Sequence, residues 1–170
     1  MSTSAGTPDT TTAPESTIVK KPTDSTAPGV PSGKRPGMSD DAEVVFRFRD
    51  SSVPPPYHRS YVLTITKATT SIVVKDYSDV LAERSITTTA EAWDAITLGY
   101  APMTELTPET PARGCTGGTG VGLRVTSAGQ VILSLDAEVC GGVNSEISDR
   151  IREWLLPARS LLPATSVLAP

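Results

Sequence analysis

Large apolar residues recur at every second position in five separate runs of this chain, and a period of two marks a strand with one buried face. Val44, Phe46 and Phe48 alternate with Val45, Arg47 and Arg49. Tyr61, Leu63 and Ile65 alternate with Val62, Thr64 and Thr66, and the pattern resumes at Ile72, Val73 and Val74 after a short polar stop. Two β-rich runs this close read as a hairpin. Val121, Leu123 and Val125, the turn Ser127-Ala128-Gly129, and Val131, Leu133 and Leu135 read as a second. Between the first run and the first hairpin stands Pro54-Pro55-Pro56, whose missing N–H groups cannot serve a ladder, so a stiff extended crossing is expected there.

Two segments carry helical signals instead. Thr88-Thr89-Ala90-Glu91 has the form of a capping box and predicts a helix starting at Thr88, with Ala92, Trp93 and Ile96 on its apolar face and Gly99 as its stop. Pro102, Pro108 and Pro111 then mark a loop. Beyond Gly141-Gly142, Asn144 or Ser145 is placed to cap a second helix bearing Ile147, Ile151, Trp154 and Leu155, limited by Pro157. The order β-β-β-α-β-β-α, with short links and no regular βα alternation, predicts an α+β fold. Its expected form is a mainly antiparallel sheet of about five strands with two helices on one face.

That domain is expected over residues 43–160. Before it, residues 1–42 read as a disordered Ser/Thr/Pro-rich tail: residues 1–37 contain 5 Ser, 8 Thr, 6 Pro and 4 Gly. So little apolar area cannot offset an ordering cost of roughly 1 to 2 kcal/mol per residue. Residues 161–170 read as a loosely tied end.

The balance of 15 basic against 19 acidic residues, net charge -4, offers no concentrated positive surface for nucleic acid. No window approaches the roughly 18 to 20 apolar residues of a membrane helix, so no transmembrane segment is expected. The start at Met1 has neither a basic nor an apolar signal region, which points to the cytoplasm by default, or to export if the cysteine pair is an obligate disulfide.

Chemistry concentrates in two places. The first is Pro56-Tyr57-His58-Arg59-Ser60-Tyr61, which holds the single histidine of the chain. His58 has the residue type for a base near neutral pH and Arg59 the planar fork for a carboxylate or phosphate. The competing reading has His58 and the tyrosines closing hydrogen bonds at a strand start while Arg59 pairs with Asp50 or Asp76. No serine sits in a G-x-S-x-G elbow, and Ser60 lies two residues from His58 without a third orienting group in view.

The second place is Gly114-Cys115-Thr116-Gly117-Gly118-Thr119-Gly120. Glycine-rich backbone can turn amides such as those of Thr116 and Gly117 toward an anion, yet neither the Walker spacing nor G-x-G-x-x-G is met. The plainer reading is a tight turn around a bridged cysteine. Cys115 and Cys140 stand just outside the strands of the second hairpin, so antiparallel pairing brings them together and a disulfide is expected. Inert thiols, redox work and zinc are the other readings, but no C-x-x-C exists and no metal-ligand spacing accompanies the pair. No cofactor motif is present, and none is expected.

Residues 50–61 together with Gly114-Cys115-Thr116-Gly117-Gly118 and Cys140-Gly141-Gly142 resemble a family of small uncharacterised bacterial proteins. The resemblance covers about residues 44 to 156 and brings no activity with it. It implies that the Tyr-His-Arg cluster and the cysteine loops belong to one design. The expectation is therefore a small ligand- or protein-binding module without catalysis, using Tyr57, His58, Arg59, Thr116 and Gly117 toward a protein or a small anionic ligand. The alternatives are a hydrolase or transferase built on His58 and Arg59, and a purely structural interaction domain.

Overall fold

Strand β1, Glu43–Arg49, is fixed in place by Phe46, which lies opposite Leu63 of β2 (Ser60–Thr66) and opposite Leu123 of β5 (Thr119–Ser127). The row continues outward to Ile72 on β3 (Thr69–Asp76) and Leu135 on β6 (Gln130–Val139). With β4, Asp79–Thr87, these strands form one antiparallel sheet in the order β4-β3-β2-β1-β5-β6. Every strand of that row buries the residue named, so the register is pinned by burial as well as by hydrogen bonds. The computed structural model describes residues 37–111 and 115–170, and the expected tail lies outside the described residues up to position 36.

The fold is the expected α+β, with a sixth strand beyond the five read from periodicity. β4 was invisible because it is an edge strand whose side chains are nearly all exposed, so it has no buried phase to display. Order also begins earlier than residue 43. Ala42 is fully buried, and the Ser39 N–H donates to Ser127 Oγ at 2.9 Å.

Helix α1, Ala90–Leu98, is capped by Thr89 and not by Thr88: Thr89 Oγ1 accepts the Ala92 N–H at 3.2 Å. Thr88 is buried instead, its hydroxyl 2.9 Å from that of Thr70 on β3. After Gly99 a single turn, α2 (Tyr100–Met103), follows directly, where a loop was expected. Helix α3, Ser145–Arg159, runs through Pro157, which falls in its last turn and so removes only one backbone bond. Asn144 precedes α3 with a positive φ of 60° and makes no side-chain cap. Its amide bonds Glu109 and the Glu138 carbonyl instead.

α1 and α3 cover one sheet face, burying Trp93, Ile96, Ile151, Trp154 and Leu155 against the strand residues. Trp154 Nε1–H donates to the Ile96 carbonyl at 2.9 Å, and a Cβ on Gly99 would sit 2.6 Å from the Trp154 ring, so glycine permits this crossing. The other face presents Arg47, Arg49, Arg124, Asp136 and Glu138, all exposed. The end expected to be loose is tied down: α4 (Thr165–Leu168) leads to a buried Ala169, whose carbonyl accepts Arg59 Nε–H at 2.9 Å. Among the described residues no helix is long and apolar enough to cross a membrane.

Candidate functional site

Where β1 ends, Asp50 clamps the proline crossing at its base. Its carboxylate accepts the N–H of Ser51 at 2.8 Å and of Arg59 at 2.9 Å, while its own N–H donates to Ser60 Oγ at 2.9 Å. The excursion between contains a 3-10 turn, Pro55–Tyr57, and is held from outside by the Tyr77 hydroxyl on the Val53 carbonyl.

His58 follows in extended backbone and is buried. Its Nδ1 accepts the backbone N–H of Tyr77 at 3.2 Å, and its Nε2 lies 3.2 Å from Ser60 Oγ. Tyr77 occupies the turn joining β3 to β4 with a φ of 44°, an unfavourable conformation for a bulky residue that the surrounding contacts must hold. Asp76 Oδ1 is buried without a hydrogen-bond partner, 3.8 Å from Nδ1.

Ser60, His58 and Asp76 thus contain the members of a serine-hydrolase triad, but with the polarity reversed. An N–H that donates to Nδ1 requires a lone pair there, so the bonding network assigns the neutral imidazole its proton on Nε2, from which it donates to Ser60. A catalytic histidine must accept from serine through one nitrogen and donate to carboxylate through the other. Ser60 Oγ, already accepting from Asp50 N–H, acts here as a structural acceptor.

The cysteines supply the opposite wall. Cys115 and Cys140 form the expected disulfide, with their Cα atoms 5.7 Å apart. A Cβ on Gly118 would lie 2.1 Å from Cys115 Sγ, so the bridge packs directly on glycine backbone. With both sulfurs bonded to each other, neither serves as a thiolate nucleophile or metal ligand.

Between the two walls lies a cleft of about 320 Å³, lined by Arg49, Asp50, Ser52, His58, Ser60 and Tyr77 on one side and Cys115, Gly118, Thr119, Gly120 and Glu138 on the other. Cross-strand register places Arg49, Gly120 and Glu138 in one row over β1, β5 and β6. The Arg49 guanidinium leans over Gly120, where a Cβ would come within 2.3 Å of it. Among the described residues Arg49 has no carboxylate partner.

Of the residues singled out in the sequence, His58 and Cys115 line this cleft. Tyr57 is 74% exposed and outside it. Arg59 turns away: its guanidinium donates to the carbonyls of His58, Ala169 and Pro170. Thr116 and Gly117 are exposed beside the cleft without lining it. Sequence reasoning missed Arg49, whose one signal was its place on the polar phase of the first strand, and Tyr77, which had none. A larger hollow of about 490 Å³ lies between residues 105–109 and the start of α3, carrying Glu105, Glu109 and Glu146. It contains neither His58 nor either cysteine, so the smaller cleft is the better candidate.

No protein-family model matches the chain, and no curated protein is similar to it.

Proposed function

We propose that this protein is a non-catalytic binding module that takes a small anionic ligand into the cleft between the His58 turn and the Cys115–Cys140 bridge. The observation that carries the reading is Arg49: a guanidinium without a carboxylate partner among the described residues, placed over glycine backbone in a cleft where Asp50, Ser60, His58 and Tyr77 are already tied together by hydrogen bonds. A guanidinium in that position offers a forked donor to a carboxylate or phosphate. Glu138 on the far wall favours a ligand that also carries a hydrogen-bond donor or cationic group at its other end.

A hydrolase or transferase using His58 and Arg59 would need both side chains on one substrate. Arg59 spends its donors on the far side of the strand, and His58 has the wrong tautomer to deprotonate Ser60. These two contacts favour binding over turnover in the cleft.

The test is an amide chemical-shift titration with acetate, succinate, inorganic phosphate and glutamate at concentrations on the order of 10 mM, enough to populate even a ~1 mM complex. At least one of them should move the amides of Ser52, Tyr77 and Thr119 saturably. Arg49→Gln should weaken that binding by roughly fivefold or more. If no member of the panel moves those amides, or Arg49→Gln leaves the affinity unchanged, the reading fails.

A further inference from the structure

A separate pocket of about 150 Å³ opens on the helix-covered face of the sheet and shares no residue with the cleft. Its floor is apolar: Phe46 and Leu63 from the sheet and Leu155 from α3 are all buried. Its rim is basic. Arg152 and Arg159 stand seven positions apart on α3, two turns of helix, and therefore project from one side of it.

Neither guanidinium has a carboxylate partner among the described residues. Arg152 sits 4.9 Å above the ring of Phe48, and Arg159 Nη1 donates to the carbonyls of Leu162 at 3.1 Å and Pro163 at 2.8 Å. These contacts orient the two cations without neutralising them. Tyr61 completes the rim, stacked at an angle beside Phe46 and Phe48, and its hydroxyl has no hydrogen-bond partner among the described residues. Burial raises the Tyr61 phenol pKa while the charges of Arg152 and Arg159 oppose the rise, so both cations act at this hydroxyl.

We propose that this pocket is a second binding site, for a small aromatic or branched aliphatic carboxylate whose hydrocarbon part rests on Phe46, Leu63 and Leu155 and whose carboxylate meets Arg152, Arg159 and the Tyr61 hydroxyl. A space of this size accepts a six-membered carbon ring. A bare inorganic anion would leave the apolar floor wet, and a neutral hydrocarbon would leave the two cations and the phenol unanswered. The combination of an apolar floor with an uncompensated basic rim selects a ligand that has both parts.

The experiment titrates the full chain with benzoate and, in parallel, with benzyl alcohol, which has the same ring and no charge. Benzoate should bind this pocket roughly fivefold or more tightly, read from saturable shifts at Phe46, Tyr61, Leu63 and Leu155, because a partly exposed charge pair contributes about 1 kcal/mol. Arg152→Gln should bring benzoate down to the level of benzyl alcohol and leave benzyl alcohol unchanged. Should that variant fold poorly, Tyr61→Phe gives the same comparison through the hydroxyl. Equal binding of the two probes at these residues of the wild-type chain, or no saturable benzoate shift at them, would each overturn the proposal. Arg49→Gln should have no effect on benzoate here, which separates this site from the cleft.

Discussion

The ring of His58 lies flat against that of Tyr77, centroids 4.0 Å apart and planes 14° from parallel, while its Nδ1 accepts the Tyr77 N–H at 3.2 Å. One side chain therefore holds both the backbone and the ring of a turn residue with positive φ, and ties the proline crossing to the β3–β4 hairpin. The same contact sets the imidazole tautomer, and with it the direction of the bond to Ser60.

Replacing His58 removes that tie. His58→Ala should destabilise the protein by about 2 to 4 kcal/mol, from the unsatisfied Tyr77 N–H and the space left by a buried ring. Chemical denaturation measures this directly. A loss below about 1 kcal/mol would show that the turn is held by other contacts.

The disulfide closes a loop with a sequence separation of 25, for which chain entropy gives a stabilisation of about 3 to 3.5 kcal/mol. Oxidised protein should show no alkylatable thiol, since its two cysteines are joined. Reduction should lower stability by about 2 to 4 kcal/mol. Because Cys115 is part of the cleft wall, reduction should also weaken binding of any anion found there. Two free thiols in oxidised protein would refute the bridge.

Gly118 and Gly120 make opposite predictions although they stand two residues apart. At Gly118 an added Cβ meets Cys115 Sγ at 2.1 Å and the Val139 carbonyl at 2.9 Å, neither of which can move freely. Gly118→Ala should therefore strain the bridge and cost about 1 to 3 kcal/mol, read as a lower melting temperature. At Gly120 the added methyl meets the mobile end of Arg49. Gly120→Ala should leave stability within about 1 kcal/mol while displacing Arg49 and weakening anion binding. The reverse order of the two stability losses would contradict the geometry.

Asp41 gives a pH signature. Its carboxylate accepts the Ser39 hydroxyl and, at 3.2 Å, the Ala128 N–H; the hydroxyl first and the amide second hold its pKa below the ordinary 3.8. A depressed pKa favours the folded state above the ordinary carboxylate value, and that contribution is lost as pH falls through the depressed folded value. The Ala128 amide shift should follow this titration, and Asp41→Asn should abolish it. A midpoint at or above 3.8 would contradict the two hydrogen bonds.

Most of the sheet was legible because burial on one face forces period two, and the chain shows it plainly in Phe46, Leu63, Leu123 and Leu135. The β4 edge was not, since exposed side chains carry no phase. The helix starts were legible to within a residue, but Thr88 and Thr89 present the same hydroxyl, and only the approach of Thr70 decided which one turned inward.

The candidate site divides in the same way. That the His58 cluster and the cysteine loops belong together was an expectation drawn from the resemblance alone, not from composition or spacing. Their meeting depends on β1 lying between β2 and β5, a pairing between segments far apart in sequence that no local pattern reports. Arg59 illustrates the limit most clearly: successive side chains in extended backbone point to opposite sides, so the neighbour of an inward His58 must face outward, toward Ala169 and Pro170. Sequence alone determined which residues seek burial and, with two cysteines in the chain, which pair a disulfide could join. Tertiary structure decided which polar groups share a cleft, because that is set by long-range strand order and by the direction each side chain takes from its backbone.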